Sequence, residues 1–205
     1  MTIKAIISDF DGVLSTSKFY NGLDPELSVQ IQNFLFSNKG YFLTKSWMHG
    51  EISFEELHLI LGKKFNIASE LLNQTLVQDV KDFEINWDLI HLLNSYKDKY
   101  KIPLAILTDN MDVFDRYTVP HHKLDKYFDF IVSSSNASLQ KVDNNWQIIQ
   151  GTINRFGVKN SEVLIIDDSK KMQLASEKLG FKFYLYNSET KNDFKEWLEN
   201  EYCNN

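Results

Sequence analysis

Three short apolar runs in this chain each end on an acid or a hydroxyl, and that pattern leaves few folds open. Ile3-Lys4-Ala5-Ile6-Ile7 leads into Asp9, Ile102-Pro103-Leu104-Ala105-Ile106-Leu107 into Thr108, and Val163-Leu164-Ile165-Ile166 into Asp167. Brief runs rich in Ile, Val and Leu, bounded by polar residues, read as strands buried on both faces. In a parallel α/β sheet, residues just past the carboxyl ends of neighbouring strands meet in one crevice, where ligands bind. Segments far apart in sequence thus deliver Asp9, Asp11, Thr108, Asp167 and Asp168 to one place.

The rest of the chain fits that plan. From Asn86 onward the expected order is a helix over Trp87–Tyr100, the strand to Thr108, and a helix around Met111–Tyr117. A strand over Phe128–Ser133, a helix over Asn144–Phe156, the strand to Asp167 and a helix over Lys170–Leu179 follow. A strand over Phe181–Tyr186 and a helix over Lys191–Leu198 complete the series. Alternating β and α elements with right-handed crossovers predict a doubly wound parallel sheet.

Residues 17–83 read differently, as helices with no strand. Asp24 can cap a helix that opens at Pro25 and continues through Leu27, Ile31, Phe34 and Leu35 before Gly40. Ser53-Phe54-Glu55-Glu56 starts a second helix ending near Gly62, and Ala68–Val80 forms a third. The expected organisation is therefore an α/β core over 1–16 and 84–205 and a small helical domain over 17–83.

Asp9, Asp11, Asp167 and Asp168 crowded together repel one another, and some must protonate unless a counter-charge intervenes. A hard divalent cation resolves this, and Mg²⁺ prefers oxygen ligands and is held by one or two carboxylates plus a substrate phosphate. Asp9 and Asp11 lie two apart, so a strand continuing through them would point both side chains to one side. One carboxylate can then attack phosphorus while the other hands a proton to the leaving oxygen. Thr108 supplies a hydrogen-bond donor for a phosphate oxygen, and Lys141 a point charge that offsets phosphate and nucleophile together.

The order of these pieces resembles the haloacid dehalogenase-like superfamily of phosphotransferases, over Ile3 to Gly180. Asp9-Phe10-Asp11-Gly12-Val13 resembles its first motif, Thr108 its second, Lys141 its third and Asp167-Asp168 its fourth. The resemblance implies that Asp9 is the nucleophile and Asp11 the general acid/base. It also implies that the Thr108 hydroxyl and the Asp109 backbone N–H grip phosphate. Metal is then expected on the Asp9 carboxylate, the Asp11 backbone carbonyl and the Asp168 carboxylate, with Asp167 orienting Lys141 or its loop. Asp168 and Gly180 are twelve positions apart, as in similar proteins. An acid at position 11 points to phosphate chemistry, since dehalogenases of the superfamily lack it. Two positions depart from the pattern: Val142 stands where relatives carry Pro, and Met172 where they often carry Asp or Asn. Trp47-Met48-His49-Gly50-Glu51-Ile52-Ser53 is similar to a segment of the helical cap in small sugar-phosphate phosphatases.

Bulk properties narrow the setting. In 205 residues, 22 Lys and Arg face 28 Asp and Glu for a net charge of −6, which makes nucleic acid and anionic membranes poor partners. The single cysteine, Cys203, forms no internal disulfide and suits a reducing, cytoplasmic compartment. The first apolar stretch is short and runs straight into Asp9, as a strand does and a signal peptide does not. Asn73-Gln74-Thr75 and Asn136-Ala137-Ser138 read as chance glycosylation sequons, and His121-His122 as an exposed loop pair. His49, His58 and His91 lack metal-ligand spacing, and Trp47 and Phe54 are expected to fill a helical core rather than a pocket.

The expected activity is a Mg²⁺-dependent phosphatase acting on a small phosphorylated metabolite, a sugar phosphate being one candidate. A sugar-phosphate mutase of the same fold is the alternative within the enzyme class. A response-regulator receiver is disfavoured by order, because its Lys comes last whereas Lys141 precedes Asp167-Asp168. A catalytically idle partner-binding module would be expected to have lost Asp9, Asp11 or Asp168, and all three are present.

Overall fold

A computed structural model describes residues 3–203, the side chain of Cys203 excepted, so the expectation about its thiol lies outside the described groups. Five strands form one parallel sheet in the order β3-β2-β1-β4-β5. They are β1 (Ala5–Ser8), β2 (Leu104–Thr108), β3 (Phe130–Ser133), β4 (Val163–Asp167) and β5 (Lys182–Leu185). Central β1 pairs Ile6 with Leu104 on one side and Ile7 with Ile165 on the other. Alternate residues face opposite layers. Ile6, Leu104, Ile106, Leu164 and Ile166 enter one apolar cluster, while Ala5, Ile7, Ala105, Leu107 and Ile165 enter a second. The sheet is therefore doubly wound, as the apolar runs predict.

Between β1 and β2 lie α1 (Pro25–Leu35), α2 (Tyr41–Met48), α3 (Phe54–Phe65), α4 (Ser69–Lys81) and α5 (Trp87–Tyr100). Their starts follow from local capping. Asp24 accepts from the N–H groups of Glu26 and Leu27, Ser53 and Glu56 form a reciprocal capping box, and Asn86 accepts from Leu89. The second expected helix runs past Gly62 to Phe65. Gly62 sits inside it because a Cβ there would come 2.8 Å from the Ile67 carbonyl, where the turn into α4 folds back. Sequence reading set no bounds for α2, which packs Thr44 and Trp47 inward.

The chain leaves the sheet layer and returns to it at one place. Ser15 and Ile85 form an antiparallel bridge, Asn86 N–H donates to Leu14 O at 2.8 Å, and Glu84 N–H donates to Ser17 Oγ at 3.0 Å. The helices between are also fastened to the segment after β2. Trp47 Nε1 donates to Asp112 Oδ1 at 2.7 Å, and Arg116 pairs with Glu55 at 2.6 Å. Trp47 and Phe54 are buried as expected, in the same cluster as Phe10 and Phe114. Fully burying each such ring stabilises the fold by about 1.5–3 kcal/mol.

After β2 the expected helix is longer and wider than its pattern suggests. A π-helical turn over Phe114–Thr118 leads into α6 (Val119–His122), which contains Pro120. His121 and His122 thus end a helix rather than sit in a loop, and His122 Nε2 contacts the Val80 carbonyl at 3.1 Å. His58 is buried between the Tyr20 hydroxyl and Oδ1 of the half-buried Asn73.

The remaining helices are α7 (Ser134–Ala137), α8 (Gln147–Phe156), α9 (Lys170–Leu179) and α10 (Phe194–Cys203). The helix expected from Asn144 starts late because Asn144, Asn145 and Trp146 all have positive φ. The last helix begins at Phe194 because Thr190 and Asn187 close a turn on themselves first. Among the described residues no helix is long and apolar enough to cross a membrane.

Candidate active site

The strand order reverses between β1 and β4, and the chain's acids gather at the carboxyl ends of these two strands. Asp9 follows β1 directly, its N–H bonded to Ile166 O at 2.8 Å. The strand expected to carry Asp11 stops at Ser8 instead. Phe10 is buried against Phe114 and Phe83, and its carbonyl accepts from the N–H groups of Val13, Leu14 and Ser15. That turn, with Gly12 at φ +79°, brings Asp11 back beside Asp9. The two carboxylates share a crevice through a loop, not through strand alternation.

Asp9, Asp11, Asp109, Lys141 and Asp167 line one cavity of 510 Å³, over which Tyr41 and Lys45 of α2 project. Lys141 is buried, with Nζ 2.6 Å from Asp9 Oδ2 and 2.7 Å from Asp167 Oδ2. Its backbone N–H donates to Asp109 Oδ1 at 2.7 Å, so Asp109 ties the lysine loop to the end of β2. Val142, beside Lys141, packs with the second apolar cluster, and Met172 is buried there too. Thr108 does not line the cavity. Its hydroxyl is buried at the end of β2 with no hydrogen-bond partner among the described groups.

Sequence reasoning missed the support around Asp11. Asn110 is buried, donates through Nδ2 to Asp11 Oδ2 at 2.9 Å, and accepts from Met111 N–H through Oδ1. It stood in the quoted run Leu107-Thr108-Asp109-Asn110 with no role attached. A carboxamide two residues past a strand end carries no signal of its partner until the fold is known.

The donor set suits a hard cation. Asp9, Asp167 and Asp168 each offer one carboxylate oxygen, and the three atoms lie within 4.8 Å of one another. Asp168 can lean inward only because residue 12 is Gly: a Cβ there would fall 2.1 Å from Asp168 Oδ2. An all-oxygen set with acids in excess of cations fits Mg²⁺.

Charge balance points the same way. Burial raises the Asp9 carboxyl well above the usual range, Lys141 offsets part of that, and Asp167 adds to it. Burial likewise pushes Asp11 up to about 6, against the pull of Lys141 and Lys18. Asp109 and Asp168 are raised, chiefly by burial. Burial works against the charge of Lys141, but Asp9, Asp167 and Asp109 outweigh it and hold its pKa above the ordinary lysine value.

A sequence model described as haloacid dehalogenase-like hydrolase matches residues 26–186. The chain belongs to the haloacid dehalogenase-like hydrolase family. The matched span begins after Asp9 and Asp11, so the first motif of this family member stands on the geometry above. Among curated proteins none matches the sequence. A predicted haloacid dehalogenase-like hydrolase from Porphyromonas gingivalis superposes with a TM-score of 0.72 at 23% identity, covering 97% of this chain and 98% of that one. A family enzyme from Bacteroides thetaiotaomicron, in complex with magnesium and inorganic phosphate, gives 0.69 at 19% identity, covering 89% and 93%. The L-2-haloacid dehalogenase of Xanthobacter autotrophicus, with chloropropionic acid covalently bound, gives 0.56 at 16% identity, covering 89% and 76%. At these identities the likeness is one of fold.

Proposed function

We propose that this family member is a Mg²⁺-dependent phosphatase that cleaves a small phosphate monoester through an aspartyl-phosphate on Asp9. The observation that carries the reading is Asp11: a second carboxyl, held by Asn110 Nδ2 at 2.9 Å, lines the same crevice as Asp9. Ester cleavage needs an acid for the leaving oxygen, and an acid with a pKa pushed up to about 6 can hold and release a proton near neutrality.

Asp9 attacks phosphorus while Asp11 protonates the departing alcohol oxygen. Asp11, now ionised, then takes a proton from water as that water cleaves the aspartyl-phosphate, returning Asp9. Lys141 holds Asp9 in place and favours its ionised form against burial, and its charge offsets that of the phosphoryl oxygens. The Thr108 hydroxyl, unpartnered at the end of β2, is a donor in reserve for one of those oxygens, and the family resemblance gives the Asp109 N–H the same role for another. The Asp9 and Asp168 carboxylates and the Asp11 carbonyl would hold Mg²⁺, with Asp167 turned mainly to Lys141. When bound, the ion supplies Lewis-acid stabilisation of phosphoryl charge. Residues 17–83 form a helical cap on a core of 1–16 and 84–205. The paired crossing at Ser15 and Ile85, and the reach of Tyr41 and Lys45 into the catalytic cavity, support that division.

The test is phosphate release from alkyl and aryl phosphates with Mg²⁺ present or chelated, beside halide release from 2-chloropropionate. Metal-dependent phosphate release is expected. Halide release without phosphate release would overturn the reading.

A further inference from the structure

A second cavity, of 300 Å³, is lined by Asp11 but not by Lys141. Asp11 and Asp109 are the two residues that line both this space and the catalytic cavity. If Asp11 protonates the leaving oxygen, whatever that oxygen carries extends into this second space. The inference therefore rests on the phosphatase reading and adds to it the nature of the alcohol.

The walls decide that nature. Phe19, Phe36, Met48 and Met111 supply apolar surface from four different segments. Three of the polar groups among them are already committed. Both hydrogens of the Gln32 amide are taken, by Phe19 O at 2.9 Å and Ser28 Oγ at 3.1 Å. The Tyr20 hydroxyl is bonded to His58 Nε2 at 2.9 Å, and Ser17 Oγ accepts from Glu84 N–H at 3.0 Å. Lys18, the one cationic side chain on the wall, is exposed, and its charge lowers the Asp11 and Asp168 carboxyls. Of the segment Trp47–Ser53, whose likeness is to sugar-phosphate phosphatases, Met48 alone faces this cavity. Trp47 is buried and spends its N–H on Asp112.

A sugar brings several hydroxyls, and each one buried without a partner costs about tenfold in affinity. An apolar group brings no such penalty and gains from leaving water. A space of this size is at the small end of ligand pockets and holds about one ring. We propose that the substrate is the phosphate ester of a compact apolar alcohol, one ring or a short branched chain, and not of a polyol.

The experiment compares binding and turnover in the full-length protein with Mg²⁺. Titration calorimetry with benzylphosphonate, methylphosphonate and the phosphonate analogue of glucose 6-phosphate reads the pocket without any chemistry. The benzyl compound is expected to bind about tenfold tighter than the methyl one, and the sugar compound no tighter than methyl. Phe36→Ser and Met48→Gln should each narrow the benzyl-to-methyl ratio. A sugar analogue that binds tighter than methylphosphonate, or a benzyl-to-methyl ratio that neither variant moves, would overturn the proposal. Turnover of benzyl phosphate and glucose 6-phosphate separates the two readings. Faster release from the sugar ester defeats only the pocket inference. Selective benzylphosphonate binding with no release from any ester upholds the pocket and defeats the phosphatase.

Discussion

The Lys141 ammonium stands 2.6 Å from Asp9 Oδ2, both groups almost wholly out of solvent, and Asp167 holds the same ammonium from its other side at 2.7 Å. One cation thus faces two buried acids, and its charge offsets part of the burial that raises the Asp9 carboxyl. Lys141→Met removes the cation and leaves both acids buried. Urea unfolding at pH 8 should show a loss of about 3–5 kcal/mol, the usual result of orphaning a buried charge. Phosphate release should fall by about 10²–10³-fold. The stability loss should shrink as pH falls and Asp9, whose carboxyl burial raises, takes up its proton.

Asp11 titrates in a way that separates folding from chemistry. Its pKa is pushed up to about 6 from an unperturbed 3.8, so the folded chain binds that proton more tightly than the unfolded one. Its contribution to stability is full below the unfolded value and is lost as pH rises through about 6. Asp11→Asn cannot ionise, so its melting temperature relative to wild type, without divalent cations, should rise between pH 5 and pH 8. The same variant should lose about 10²–10⁴-fold in hydrolysis of alkyl phosphates. It should lose less with p-nitrophenyl phosphate, whose alcohol departs unprotonated. A variant equally impaired on both would place Asp11 outside proton transfer.

Asn110 is tested through the acid it holds. Removing its donor from Asp11 Oδ2 disfavours the ionised form and moves the Asp11 pKa upward. Asn110→Ala should therefore shift the Asp11-linked limb of the kcat/KM profile to higher pH and lower the plateau about tenfold to a hundredfold. A merely structural role would lower the plateau and leave the limb where it is.

Much of this site could be read from residue order alone, because β1, β2 and β4 are short buried strands whose ends must be polar. Ile6 and Ile7 fix the strand, and the residues that follow it inherit the crevice. Capping made α1 and α3 legible through Asp24-Pro25 and Ser53-Glu56. What local pattern could not supply were choices made by contacts distant in sequence. The turn that returns Asp11 to Asp9 depends on Phe10 finding Phe114, and Asn110 gains meaning only across 99 positions of separation. The π-helical turn before Pro120 and the kink at Asn144–Trp146 are likewise settled by packing, not propensity.

Gly12 offers a test of the cation site that leaves every carboxylate in place. Ala at this position would set its Cβ 2.1 Å from Asp168 Oδ2, and its φ of +79° adds about 1–2 kcal/mol of backbone strain. Gly12→Ala should weaken Mg²⁺ binding about tenfold to a hundredfold by calorimetry while circular dichroism stays unchanged. Undiminished Mg²⁺ affinity would remove Asp168 from the ligand set.

The central claim is that Asp9 carries the phosphoryl group during turnover. Acid-quenching the enzyme while it consumes a phosphate ester with Mg²⁺, then weighing and mapping its peptides, tests that directly. The account predicts one added phosphoryl group on the peptide bearing Asp9, absent in Asp9→Asn along with all phosphate release. Steady turnover with that peptide unmodified, or an Asp9→Asn protein that still releases phosphate, would contradict it.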